Sequence, residues 1–92
     1  MSQAAELGRI VRFHRKKSGL TQIELANLAS LGKSTVFDIE KGKASVRLDS
    51  LLKVLSVLNI RLQAQGPLVQ EFQEQQELEQ QELGQQGSEQ DE

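Results

Sequence analysis

The chain has 92 residues, enough for one small domain whose core is marginal by itself, so a dimer that adds buried area is expected. It contains no cysteine, which excludes disulfides, thiolate metal sites and a cysteine nucleophile. The net charge of −2 conceals a division: residues 1–66 hold all eleven Lys and Arg with five acids, net +6, and residues 67–92 hold eight acids and no base.

The first helix is expected from about Gln3 to Ser18, with Leu7, Ile10, Val11 and His14 facing inward at helical spacing. Arg9, Arg12 and Lys16 gather on the other side, Gly19 ends the helix and Leu20 packs after the stop. Thr21 suits the N-cap of a second helix, its hydroxyl accepting from the amide of Ile23 or Glu24, and Glu24 completes a capping box. Ile23, Leu25, Ala26, Leu28 and Ala29 give that helix apolar surface, and Ala26 is small enough to let another helix approach closely.

Ser30, Leu31 and Gly32 form a turn with Leu31 as its apolar plug. The third helix runs from about Lys33 to Lys41, with Val36 and Ile39 inward and Gly42 as its stop. A fourth helix from about Leu48 to Leu58 carries a buried stripe of Leu48, Leu51, Leu52, Leu55 and Leu58, and Asn59 suits its left-handed end. Asp49 complements the dipole of its first turn.

Ile60, Leu62 and Ala64 then alternate with Arg61, Gln63 and Gln65, a short strand pattern. A lone strand has no partner in a small helical domain, so the same strand of a second copy is the expected one, giving a two-stranded ribbon across a dimer. Gly66-Pro67 marks a boundary. The Gln/Glu-rich segment beyond it has too little apolar surface to offset its ordering entropy, so residues 67–92 should be a largely disordered acidic tail. Leu68, Val69 and Phe72 extend order by a turn or two, with Pro67 suited to open such a helix. The tail either solubilises the chain or docks on a basic surface, its own body included.

The expected class is therefore all-α: a compact four-helix domain over residues 1–66, a short strand pairing across a dimer, and the tail. Two amphipathic patterns separated by a small-residue break, over Thr21 to Gly42, are the pattern of a helix-turn-helix. Thr21-Gln22-x-x-Leu25-Ala26-x-x-Ala29, followed by Leu31, Val36, Ile39, Glu40 and Gly42, resembles the phage-repressor-like Xre family, over roughly residues 5–62. The stretch KGKASVRLDSLLKVLSVLNI with its following strand is similar to the HipB-type branch. The resemblance implies a dimeric repressor, the DNA-binding antitoxin of a HipA-type kinase module, which binds an inverted-repeat operator and represses its own operon. A stand-alone regulator, or an antitoxin acting mainly through contact with its toxin, remains open beside it. Two positions depart from the family pattern: Ser30 stands where glycine is usual, and Gly32 stands where a serine or threonine often caps the reading helix.

In such a unit the first residues of the second helix meet base edges. Here these are Lys33, Ser34 and Thr35, beginning at Gly32, with Phe37 a turn further on. Lysine donates to guanine O6 and N7, serine is permissive, and phenylalanine suits a thymine methyl. Phe37 is read as contact rather than core because Val36 and Ile39 already occupy the inward face. The resemblance gives Gln22 a phosphate contact and pairs Glu40 with Arg15 as a structural salt bridge. Lys41 and Lys43, and also Arg12 or Lys16, are basic enough to clamp the backbone; the sequence leaves open which of them do.

Catalysis has no support: a nucleophile with a positioned base is missing, and the glycines form no phosphate-cradling loop. His14 reads as a packed neutral histidine, and without a second His or a Cys no metal is expected; nor is a cofactor. The N-terminus reads as no signal peptide and no stretch spans a bilayer, so a cytoplasmic, nucleoid-associated bacterial protein with no membrane partner is expected. The expected partners are double-stranded operator DNA, a second copy, and a HipA-like kinase or an associated small protein.

Overall fold

The computed structural model describes residues 2–86. They fold into five helices: α1 (Gln3–Lys17), α2 (Gln22–Leu28), α3 (Lys33–Lys41), α4 (Leu48–Val57) and α5 (Val69–Gln86). Two compact units divide between Arg61 and Leu62, ahead of the Gly66-Pro67 break that composition suggests.

Several helix ends of the first unit rest on identifiable chemistry. Ser2 caps α1 by accepting from the Ala5 amide at 3.1 Å. Its last turn carries His14, Arg15, Lys16 and Lys17, suited to the negative end of the helix dipole. The chain then closes through Gly19 in the left-handed region, with the Leu20 amide donating back to Arg15 O at 3.2 Å. At α2 the capping box is complete: the Glu24 amide donates to Thr21 Oγ1 at 3.1 Å, and the Thr21 amide donates to Glu24 Oε1 at 2.8 Å. Asn59, at φ 59°, ends α4, with the Ile60 amide donating to Leu55 O at 2.9 Å.

The core is built from Val11, Leu25, Ala26, Ala29, Val36, Ile39, Val54, Leu55 and Leu58, so all four helices of the unit contribute to it. Leu7, Leu20, Leu31, Val46, Leu51, Val57 and Ile60 close its edges. The α1 and α3 backbones approach so closely that a Cβ on Gly8 would lie 2.9 Å from the Glu40 carbonyl oxygen. Gly42 is needed twice over: its φ is 83°, and a Cβ there would sit 2.8 Å from Ala5 Cα.

Four residues expected to face inward do not. His14 is exposed, its Nδ1 lying 2.8 Å from Ile10 O, and Ile10 is 37% exposed. The inward face of α1 is Leu7, Gly8, Val11 and Arg15, because the glycine rather than a second aliphatic meets α3. Leu48 and Leu52 are 64% and 45% exposed instead of buried. The α4 contact falls on Val54, Leu55 and Leu58, which leaves Leu48 at the helix start and Leu52 at the edge of the stripe uncovered.

Ile60 and Arg61 at the end of the first unit, and residues 62–66 at the start of the second, lie in neither helix nor strand. A ladder requires a second strand, and none is present among the described residues of one chain. The Gln/Glu segment is not unstructured throughout: α5 continues for 18 residues, far beyond one or two turns. Glutamine and glutamate are good helix formers even where they cannot build a core, and Glu71 favours the first turn. The disorder expected for residues 87–92 lies outside the described residues. Among the described residues, no helix is long and apolar enough to cross a membrane.

Candidate nucleic-acid interface

The turn between α2 and α3 is set by Ser30, whose φ is 59°, a left-handed conformation that costs a side-chain-bearing residue about 1–2 kcal/mol. It lets the Leu31 amide donate to Ala26 O at 2.8 Å and turns Leu31 onto the core. The family-like glycine is absent, yet the left-handed geometry is kept.

From that turn α3 leaves with Val36 and Ile39 buried and with Lys33, Ser34, Phe37 and Lys41 exposed. At 100° per residue, positions 33, 37 and 41 follow one another along a single ridge. The ridge therefore reads lysine, phenylalanine, lysine. Phe37 is 46% exposed, and Lys41 Nζ lies 5.4 Å from the centroid of its ring. Thr35 falls on the flank of α3 and is half-buried, less open than its neighbours Lys33 and Ser34. Gly32 caps the helix through its backbone alone, and the first turn contains no acid, so the positive end of the dipole is not offset there.

Behind this surface lies a polar knot joining three helices. Arg15 Nε donates to Glu40 Oε2 at 2.6 Å, and Arg15 Nη2 donates to Glu40 Oε1 at 3.1 Å. Arg15 Nη1 also donates to Leu20 O at 2.7 Å. The two side chains are only 9% and 3% exposed, so the pair works in a low dielectric where its bidentate geometry counts most. Gln22, at the first position of α2, donates from Nε2 to Glu40 Oε1 at 3.0 Å. Its amide is therefore held by Glu40, with one of its two N–H bonds spent internally. Nothing in the sequence spacing alone signals that link.

Lys43 lies 3.6 Å from Asp38 in an exposed ion pair, which a phosphate can displace at little cost. Arg12 and Lys16 are exposed on α1. Of the residues expected in the ribbon, Ile60 is half-buried at the edge of the core, while Leu62 and Ala64 are exposed. The α4 leucines Leu48 and Leu52 are the apolar surface that sequence reasoning missed. Their regular spacing read as core, and only the packing reveals them as outward.

Comparison with known proteins agrees with this geometry. A helix-turn-helix family profile matches residues 11–65. The chain is 35% identical over 63 residues to the uncharacterized HTH-type transcriptional regulator y4mF of Sinorhizobium fredii, covering 68% of this chain and 83% of that protein. Among solved structures it is similar to the restriction-modification controller protein C.AhdI of Aeromonas hydrophila. That match has TM-score 0.59 and 33% identity, and covers 66% of this chain and 92% of the other. It is also similar in fold to a chain of a HipA-HipB-O2-O3 complex, with TM-score 0.65 and 21% identity, covering 72% of this chain and 93% of that one.

Proposed function

The chain belongs to the Xre-like helix-turn-helix family of transcriptional regulators, and from that premise we propose that it is a dimeric, sequence-specific repressor. In this reading it is the HipB-type antitoxin of a HipA-like kinase module and represses its own operon from an inverted repeat. The observation that carries the reading is the outward Lys33–Phe37–Lys41 ridge on a helix whose opposite face is locked into the core. Lys33 and Ser34 meet base edges near Gly32, while Thr35 borders the contact. Gln22 and Lys43 grip phosphates beside the ridge, and Lys41 grips one at its far end. The repressor works without a cofactor, in the bacterial cytoplasm.

Two features support the dimer. Leu48 and Leu52 present an i, i+4 apolar pair on α4, a surface that burial against a second copy would remove from water. Ile60, Leu62 and Ala64 alternate as a strand would, and among the described residues no strand pairs with them. Two reading helices about one DNA turn apart then match a twofold operator.

The test is direct. The full chain, mixed with duplex from immediately upstream of its own gene, should bind as a dimer with Kd of order 10⁻⁸–10⁻¹¹ M at physiological salt. The same preparation should co-purify with the product of a neighbouring kinase gene. A monomer indifferent to duplex DNA at low salt would overturn the reading.

A second reading, a stand-alone regulator of other genes, draws on the 33% identity to a restriction-modification controller. Gene neighbourhood separates the two, since only the antitoxin needs a kinase beside it. In a third, the chain restrains its toxin mainly by protein contact. Deleting residues 67–92 then abolishes partner binding and leaves operator affinity unchanged.

A further inference from the structure

Phe37 occupies the middle of the surface that faces DNA in the proposed function, and its chemistry restricts what can lie opposite. The ridge carries a cation one turn before the ring and another one turn after it. Lysine suits guanine O6 and N7 or a phosphate; a phenyl ring suits no donor or acceptor. Among the groups that bases display in the major groove, the apolar one is the C5-methyl of thymine. Burying the ring against any other pyrimidine edge desolvates polar atoms without return.

The ring is also held. Lys41 Nζ stands 5.4 Å from its centroid, within cation–π range, so a rotation of Phe37 away from the ridge would forfeit that contact. The 46% of Phe37 that remains exposed is thus presented on a helix fixed by Val36 and Ile39.

We infer that Phe37 is a specificity-determining residue that reads a pyrimidine by its C5-methyl group, so that 5-methylcytosine substitutes for thymine at the base it faces. This inference rests on the DNA-reading role proposed above. Two consequences follow. The operator contains, in each half-site, a T·A pair whose discrimination from cytosine is apolar. Methylation of cytosine at that step converts a poor site into a better one, which makes occupancy sensitive to the methylation state of the DNA.

The experiment starts by selecting sites for the full-length protein from a randomised duplex library. Each thymine of the selected site is then replaced singly by deoxyuracil, and each T·A pair by C·G and by 5-methyl-C·G. One thymine per half-site should lose about fourfold in affinity as deoxyuracil, the equivalent of one buried methylene at ~0.8 kcal/mol. At the same step, 5-methylcytosine should bind about fourfold more tightly than cytosine. Phe37→Ala should bind more weakly and lose both differences, while Phe37→Leu, which keeps an apolar contact, should retain part of them. Circular dichroism and thermal melting confirm that both variants fold.

A selected site with no thymine sensitive to deoxyuracil, or with equal sensitivity in wild type and Phe37→Ala, overturns the inference and leaves the repressor reading intact. Failure to select any sequence overturns both.

Discussion

Glu40 accepts two hydrogen bonds from Arg15 and a third from Gln22, and the pair it forms with Arg15 is almost wholly removed from water. Removing one partner of such a pair leaves a buried charge without compensation, at about 3–5 kcal/mol. Glu40→Ala should therefore lower the melting temperature by roughly 12 °C or more, at about 4 °C per kcal/mol for a domain of this size. Replacing both partners with apolar residues, Arg15→Met with Glu40→Leu, should recover most of that loss in the same thermal melt. DNA affinity should not recover with it, because Gln22 has lost its anchor.

Ser30 stores strain that the fold can release. Glycine removes the left-handed penalty of about 1–2 kcal/mol and adds an entropic cost of about 0.5–1 kcal/mol in the unfolded chain. Ser30→Gly should therefore gain about 0.5–1 kcal/mol, measured by urea denaturation with an unchanged m-value.

Gly8 works in the opposite direction. Alanine within a helix normally gains about 1 kcal/mol over glycine. Here the added Cβ would lie 2.9 Å from a backbone oxygen of Glu40, which cannot swing aside as a side chain can. Overpacking of this kind costs about 1–3 kcal/mol and displaces α3. Gly8→Ala should come out destabilised in denaturant titration, by about 1–2 kcal/mol, despite its better helix propensity.

The lysines should separate by the kind of contact they make. Lys43→Ala should weaken binding evenly across sequences and reduce the log–log salt slope by about 0.9, the value of one phosphate contact. Lys33→Ala should instead cost about 1–3 kcal/mol on the best site and relax its base preference. Fluorescence anisotropy on matched and scrambled duplexes at several salt concentrations distinguishes the two.

Helix ends were the most legible features. Thr21 with Glu24, Gly19, Gly42 and Asn59 each act through local backbone chemistry that a single sequence carries in full. Facing was harder to read. On α1 the sets ending in His14 and in Arg15 differ by one position, and the choice depends on Gly8 admitting α3 and on Glu40 waiting for the guanidinium. Neither is visible from α1 alone. The α4 leucines misled for a related reason, since a stripe wider than the available neighbour looks the same in sequence as one fully covered. For α5, low apolar content opposes packing but not helix formation. Helix propensity in Gln and Glu opposes neither a helix nor solvent exposure. At the interface, the residue types on α3 were legible, but the Gln22–Glu40 bond and the Lys41–Phe37 contact came only with the fold.

Because a single carboxylate both fastens α1 to α3 and orients the amide at the head of α2, genetics will blur two phenotypes at that position. A screen for operator-blind alleles should return codon 40 repeatedly, among mutants whose protein has simply vanished from the cell. Immunoblotting the recovered alleles, before any is assigned to base recognition, will sort one class from the other.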